Sequence, residues 1–168
     1  MQHGIISETK VMQETHSPNT RIHTILQKLP VFAGLSPDEY EHIRKICLPA
    51  QLEDGETLFV EGDNSPSMYV LLSGEIQLRT NELGKIHIFH PGELLGEIGM
   101  IAQQARTATA IASTPSVLLK IDNTAFEKLL NRAPGICFKV MRNITRIMSG
   151  HIVRMTKAAV LDYLPSEN

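Results

Sequence analysis

The sequence has only two cysteines, Cys47 and Cys137, and both stand among apolar neighbours. Two thiols are too few for a disulfide framework or for a four-cysteine iron–sulfur site. They are typical of the buried, reduced thiols of a cytosolic protein. A chain of 168 residues is long enough to bury an apolar core without disulfides or metals. The length therefore predicts one domain that is stabilised by its core.

The chain also lacks an apolar run of about twenty residues, the length that spans a bilayer. Its N-terminus lacks the basic and then apolar pattern of a secretory signal. The 16 Lys and Arg residues are scattered among 18 Asp and Glu residues, which gives a net charge of -2. No basic stripe is present that could follow a nucleic-acid backbone. These features predict a cytoplasmic protein without a membrane or nucleic-acid partner.

The residue patterns of metal sites and of common catalytic sites are missing as well. Among seven histidines, the closest pair is His87 and His90. On a strand, residues three apart point to opposite faces, so these two rings cannot bind one ion. Glu93 and Glu97 are four residues apart with no nucleophile or base nearby in sequence. We therefore expect neither an enzyme nor a metalloprotein, and no cofactor.

Residues 1–18 are polar and show no steady period, which predicts a flexible N-terminal tail followed by one domain over residues 19–168. Two packing helices come next. Pro30 ends the first, and Ser36 begins the second with the spacing of a capping box to Glu39. Their predicted inner faces are Ile22, Ile25, Leu26 and Leu29 for the first helix, and Tyr40, Ile43 and either Ile46 or Cys47 for the second.

From about residue 48 the apolar period changes to two, and six short runs rich in β-branched and aromatic residues predict strands. These runs are Thr57 to Val60, Met68 to Leu72, Ile76 to Thr80, Ile86 to Phe89, Thr107 to Ala112 and Val117 to Ile121. Glycine-containing turns separate most of them at even intervals, which is typical of an all-β barrel. The sequence therefore predicts a mainly β fold, a jelly-roll barrel over about residues 48–121 with flanking helices. Such a barrel has a hollow that can hold a small ligand.

Helical periodicity returns over about residues 123–164. A first helix has Phe126, Leu129 and Leu130 as its inner face, and Pro134 begins a long final helix. Alternating spacings of four and three residues relate its apolar positions, which are Cys137, Met141, Ile144, Met148 and Met155. This seam predicts either pairing with a second copy, giving a homodimer, or packing of the helix on its own barrel. The sequence leaves both possibilities open.

A glycine-rich segment interrupts the strand series and has the residues of an anion site. Gly96 and Gly99 would let main chain approach a ligand closely, and a short helix from Glu97 would aim its first amides at an anion. Arg106 offers a planar fork for two phosphate oxygens. The Glu97 carboxylate suits a sugar hydroxyl, and opposite Arg106 it would leave neither charge buried alone. The set fits a ligand with one phosphate and one free ribose hydroxyl, and a plain Glu97–Arg106 salt bridge is the alternative.

At these positions the sequence resembles the cyclic nucleotide-binding domain family, of the catabolite activator and protein kinase A regulatory subunit type. The motifs are Gly96-Glu97-Ile98-Gly99-Met100 and Arg106-Thr107-Ala108-Thr109, with the family's spacing from Glu to Arg. We call residues 96–109 the cassette. Upstream, Glu61-Gly62-Asp63 and the run Met68 to Ile76 are also similar to the family. The resemblance extends from about Leu29 to about Ala158, and one departure is Ala105, where many members have proline.

The resemblance implies cAMP or cGMP as the ligand. Arg106 would hold the exocyclic phosphate oxygens and Glu97 the ribose 2′-hydroxyl, while the remaining ligand-binding residues would be Gly96, Ile98, Gly99, Thr107 and Ala108. Thr107 leaves the choice of purine open, with a lean towards cAMP. On the final helix, Met148, His151 and Ile152 would cover the base as a lid.

In transcription regulators of this family a helix-turn-helix domain follows the long helix, whereas here only Thr156 to Asn168 remain, too few for a recognition helix. The resemblance therefore implies a stand-alone module that senses a cyclic nucleotide and regulates an unknown effector protein through its C-terminal helix. The alternatives are a protein-interaction domain of the same fold that binds no ligand, and a shortened transcription regulator.

Overall fold

A computed structural model describes the backbone of residues 24–163 and the side chains of residues 24–153. The predicted tail over residues 1–18, the apolar position Ile22 and the Met155 side chain lie outside the described residues. Within the described part of the chain, no helix is both long enough and apolar enough to cross a membrane.

In the described part of the chain, eight strands form two antiparallel sheets of four strands each. They are β1 (Cys47–Leu52), β2 (Thr57–Phe59), β3 (Ser67–Ser73), β4 (Ile76–Thr80), β5 (Gly84–Phe89), β6 (Leu94–Leu95), β7 (Thr109–Ala112) and β8 (Ser116–Asp122). The first sheet has the order β1-β8-β3-β6 and the second has the order β2-β7-β4-β5. In each sheet, strands from the first half of the chain (β1 to β4) alternate with strands from the second half (β5 to β8). This is the arrangement of a jelly roll. The predicted fold class is confirmed.

Strands β1 and β6 were not among the predicted strands. β1 contains Pro49 and is buried only at its ends, Cys47 and Leu52, so it lacks the alternation that indicates a strand. It lies at an edge of its sheet, where proline is tolerated because one side of the strand needs no donor. β6 has two residues, which are too few to show a period. Its pairing with Tyr69 and Val70 of β3 defines it.

The helices are α1 over residues 24–28, the 3₁₀ helix Pro30–Phe32, α2 (Pro37–Arg44), α3 (Glu97–Ile101), α4 (Asn123–Arg132) and α5 (Pro134–Tyr163). The predicted capping box is confirmed, because Ser36 Oγ accepts from Glu39 N at 3.3 Å and Glu39 Oε2 accepts from Ser36 N at 2.7 Å. Three predicted positions differ. Ile25 and Leu130 are exposed rather than inward, and Cys47 belongs to β1 because α2 ends at Arg44.

Two apolar clusters form the core, and β3 contributes to both. Met68 and Val70 face the helices together with Ile121 of β8, whereas Tyr69 and Leu71 face the second sheet. Because both faces of β3 are covered, its sequence is a continuous apolar run rather than an alternation of apolar and polar residues. Both cysteines are buried and free in the helical cluster, and burial raises the pKa of the Cys47 thiol to about 12.

The first half of α5 packs on its own domain. Cys137 and Ile144 are fully buried in the helical cluster, and Met141 and Met148 lie at its margin. Asn143 Nδ2 donates to the carbonyls of Val31 at 3.1 Å and Ala33 at 2.9 Å, which ties α5 to the N-terminal helices. Packing on the same chain therefore accounts for the predicted seam from Cys137 to Met148.

Candidate functional site

A cavity lies where α3 and the loop that follows it interrupt the strand series between β6 and β7. All seven ligand-binding residues predicted from the sequence line this cavity: Gly96, Glu97, Ile98, Gly99, Arg106, Thr107 and Ala108. The structure thus brings the two halves of the cassette together around one space.

The opposite wall of the cavity consists of residues that the sequence did not single out. They are Phe59 of β2, Leu78 of β4, Phe89 of β5 and Leu95 of β6. Alternation along β4 could have placed Leu78 on the same face as buried Ile76. Only the pairing of strands across both sheets shows that these four side chains meet at the cassette.

Arg106 is 3% exposed and is held by uncharged groups. Its Nη1 donates to the Gly96 carbonyl at 2.8 Å, and its Nη2 donates to the Ser67 carbonyl at 2.6 Å. Its Cζ lies 4.2 Å from the centre of the Phe59 ring. Burial lowers the pKa of the Arg106 guanidinium, while Tyr69, Glu97 and Asp63 act in the opposite direction. The buried cation thus has two fixed hydrogen bonds and a close ring contact, and no carboxylate of the described residues lies within 4.0 Å of it.

The third nitrogen of this guanidinium, Nε, donates no hydrogen bond. Arg106 Nε is buried and has no hydrogen-bond partner, and no other buried side-chain nitrogen or oxygen of the described residues shares this condition. A buried donor without an acceptor is costly, so native proteins rarely retain one without a reason. An anionic oxygen in the cavity could supply both the missing acceptor and the missing negative charge.

Glu97 does not form a close ion pair with Arg106. The prediction that the two charges lie directly opposite each other is therefore wrong. Among the described residues, the contacts within 4.0 Å between a carboxylate and an Arg, Lys or His nitrogen join Arg44 to Glu41, Lys139 to Glu39, His87 to Glu93 and His90 to Glu75, and none joins Arg106 to Glu97. The physical reason is that both Arg106 Nη atoms are directed to main-chain carbonyls. Burial raises the pKa of Glu97, and the partial offsets come from its own amide and from the Arg106 charge. The alternative of a plain salt bridge is therefore also wrong.

The two cassette glycines make room for Arg106 itself. Gly96 has a left-handed φ of 73°, and a Cβ there would collide with Arg106 Nη1 and lie 3.1 Å from Arg106 Cζ. At Gly99 a Cβ would lie 3.1 Å from Arg106 Nη1 and 3.3 Å from the Gln104 carbonyl oxygen. The sequence assigned these glycines to close approach of a ligand, whereas the structure shows that the arginine fills the space.

Helix α3 and its neighbours fix the main chain of the cassette. The predicted short helix is confirmed at Glu97–Ile101, and the first amides of any helix lack an intrahelical acceptor. Across the cavity wall, Arg106 N donates to the Asp63 carbonyl at 2.9 Å, and Gly62 N donates to the Arg106 carbonyl at 2.8 Å. The Glu61-Gly62-Asp63 turn therefore forms backbone hydrogen bonds with Arg106 on both sides of its Cα. Strand β7 begins at Thr109 rather than at the predicted Thr107.

The three predicted lid residues lie away from this cavity. Met148 packs at the margin of the helical cluster, His151 is half-buried, and Ile152 is 62% exposed. None of the three is among the residues that line the cavity. A closed lid would need the part of α5 after Met148 to move, because the part before it is anchored in the core.

The raised pKa of Glu97 gives a testable dependence of stability on pH. Above its ordinary value of 4.5, the folded state holds this proton more tightly than the unfolded state does, so stability falls as pH rises through that window. Glu97→Gln is expected to remove this slope and to raise the free energy of unfolding near neutral pH. Urea unfolding from below pH 4.5 up to neutral pH measures both effects, with exposed Glu82→Gln as the control. An unchanged slope in Glu97→Gln would contradict the prediction.

Comparisons with known proteins agree with the fold and the motifs. The cyclic nucleotide-binding domain model matches residues 49–133. The cyclic AMP receptor protein of Thermus thermophilus is 26% identical over 121 residues, 70% of this chain and 56% of that protein. A cAMP-dependent protein kinase regulatory subunit of Colletotrichum orbiculare is 28% identical over 128 residues, 75% of this chain and 32% of that protein. The chain thus spans only a part of each relative.

A solved structure shows the same fold. The crystal structure of a cyclic nucleotide-binding domain from Methylobacillus flagellatus matches with a TM-score of 0.72 at 22% identity, covering 87% of this chain and 84% of that one. The match of the family model covers half of the chain and includes the whole cassette. The jelly roll, the cassette at its cavity and this match together establish that the chain belongs to the cyclic nucleotide-binding domain family.

Proposed function

We propose that this chain is a sensing module that binds cAMP or cGMP in the cassette cavity and has no catalytic role of its own. One observation carries the proposal: the buried Arg106 cation in the cavity wall has an unused Nε donor and no close anion. A phosphate diester carries one negative charge and several acceptor oxygens. Its binding would satisfy the donor and neutralise the cation in the same step.

The rest of the cavity fits the other parts of a cyclic nucleotide. The amides of Ile98, Gly99 and Ala108 would donate to the remaining phosphate oxygens, as at other helix starts that bind anions. The Glu97 carboxylate would accept from the ribose 2′-hydroxyl. Sugar and base would contact the apolar wall of Leu78 and Phe89. Each group of the ligand would then meet a partner of matching chemistry.

A nucleotide titration tests the proposal most directly. We expect isothermal calorimetry to give a dissociation constant in the low micromolar range or below for cAMP or cGMP, about -8 kcal/mol or better. Thr107 is exposed beside the cavity and its hydroxyl can serve either purine, so we expect less than a tenfold preference, in favour of cAMP, since one such bond is worth about 0.5 to 1.5 kcal/mol. The absence of heat and of a thermal shift with both nucleotides would refute the proposal.

We also propose that α5 transmits the signal of nucleotide binding. The recipient would be an effector protein or a second copy of the chain. Met148, His151 and Ile152 would close over the base, and a ligand that contacts only the closed form shifts the helix towards it. The anchor through Asn143 and the buried Ile144 restricts this movement to the part of the helix after Met148.

Hydrogen exchange over residues 140–160 tests the movement of α5. Nucleotide is expected to increase amide protection after Met148 and to leave the anchored turns around Ile144 unchanged. Truncation before Ile147 supplies the control, because a lid contributes to affinity and its loss should weaken binding. Identical exchange with and without nucleotide would exclude a lid.

A second candidate function is a protein-interaction domain that binds no nucleotide. It is favoured by the fact that both Nη atoms of Arg106 already have acceptors within the protein. It predicts no response in the nucleotide titration, so the same experiment separates the two functions.

A further inference from the structure

Phe59 forms an aromatic support under the Arg106 guanidinium. Its ring is 7% exposed, lines the cavity and has its centre 4.2 Å from Arg106 Cζ. A second ring, Tyr69, lies 6.0 Å from the same carbon and 6.2 Å from the Phe59 ring centre. The buried cation therefore meets aromatic surface where a carboxylate could have been expected.

The chemistry of this support matters for an anionic ligand. A ring face attracts a cation through its quadrupole but brings no negative charge. A carboxylate in the same place would neutralise the guanidinium and compete with an incoming phosphate. With the Gly96 and Ser67 carbonyls on the Nη atoms and the Phe59 ring beside Cζ, the guanidinium is fixed in position while its charge and its Nε donor stay available.

We propose that Phe59 is a positioning residue for ligand binding, whose ring holds the guanidinium of Arg106 at the cavity wall in the orientation that receives a phosphate. This inference rests on the proposed function. It assigns to β2 a role that the cassette motif does not contain, because Phe59 precedes Arg106 by 47 positions in the sequence.

A double-mutant cycle on stability tests the contact without any ligand. The four proteins are the wild type, Phe59→Leu, Arg106→Met and the double variant, compared by urea unfolding. Phe59→Leu is expected to reduce the folding equilibrium constant less in the Arg106→Met background, by a factor of about five or more. Equal effects in both backgrounds would overturn the inference. Phe59→Met, whose flexible unbranched side chain adapts better to the vacated space, replaces Phe59→Leu if the latter does not fold.

The same four proteins test the positioning role by cAMP titration. Phe59→Leu is expected to weaken binding by about tenfold in the wild-type background and much less beside Arg106→Met. Phe89→Leu is the control, because it removes a ring that lines the same cavity, whereas the rings in contact with the Arg106 cation are Phe59 and Tyr69. Its losses of affinity should be equal in both backgrounds. Equal losses for Phe59→Leu in both backgrounds would mean that the ring only lines the cavity.

The two proposals fail in different ways. A wild type that binds neither cAMP nor cGMP refutes the proposed function and the positioning role with it. A wild type that binds, together with zero coupling between Phe59 and Arg106, refutes the positioning role alone.

Discussion

Arg106→Ala is expected to weaken cyclic nucleotide binding at least about tenfold, since a hydrogen bond to a charged group is worth about 1.5 to 3 kcal/mol. The substitution removes the only guanidinium among the described residues that line the cavity, together with its unused Nε donor. It also leaves the half-buried Glu97 with less positive charge nearby, which disfavours its ionised form further. Calorimetry with cAMP and cGMP measures the loss.

Two further variants make the Arg106 experiment specific. Arg106→Lys keeps the charge but has one nitrogen in place of three, so it cannot occupy the Nη1, Nη2 and Nε positions together, and we expect it to bind nearly as weakly as alanine. Arg79→Ala removes an exposed arginine from β4 and should leave affinity unchanged. Equal binding by the wild type and Arg106→Ala would show that another residue holds the phosphate.

The effect of Arg106→Ala on the ligand-free protein has two opposing parts. Loss of the side chain leaves the Ser67 carbonyl without its donor, at a cost of about 1 to 3 kcal/mol. It also removes a buried cation that has no close anion, which offsets part of that cost. We therefore expect the free energy of unfolding to fall by less than the full cost of the orphaned carbonyl.

Gly96→Ala is expected to lower the free energy of unfolding by more than about 2 kcal/mol and to reduce nucleotide affinity as well. The left-handed φ of 73° contributes about 1 to 2 kcal/mol of strain for any residue with a Cβ. The added methyl group would also collide with Arg106 Nη1, and the neighbouring Ser67 carbonyl oxygen at 3.1 Å leaves little room for relaxation. Arg106 must then leave its two carbonyls.

Gly55→Ala is the matched control for Gly96→Ala. Gly55 has a similar φ of 79°, but nothing lies within 4 Å of the position that its Cβ would take. It should show the backbone strain alone and bind nucleotide normally, so the difference between the two variants measures the collision with Arg106. Urea unfolding and calorimetry on both proteins provide the comparison. Equal destabilisation with intact binding in both would contradict the packing role of Gly96.

The sequence predicted those parts of the fold whose cause is local. Ser36 and Glu39 form their capping box within one helical turn, and the strand runs alternate with glycine turns, so neighbouring residues determine both features. The edge strand β1 escaped prediction because its conformation depends on pairing with β8, from Cys47 with Ile121 to Leu52 with Ser116. Its own residues, which include Pro49, do not indicate a strand.

The candidate site divides in the same way. The sequence by itself determined that glycines, a carboxylate and an arginine lie together in one short cassette, because they are close along the chain. Only the tertiary structure decided what Arg106 contacts, since the Ser67 carbonyl and the Phe59 ring reach it through strand pairing across 39 and 47 positions. It also decided that Glu97 has no ion pair with Arg106 and that Gly96 accommodates the arginine. Such contacts depend on how the two sheets enclose the cavity, and no local spacing specifies that.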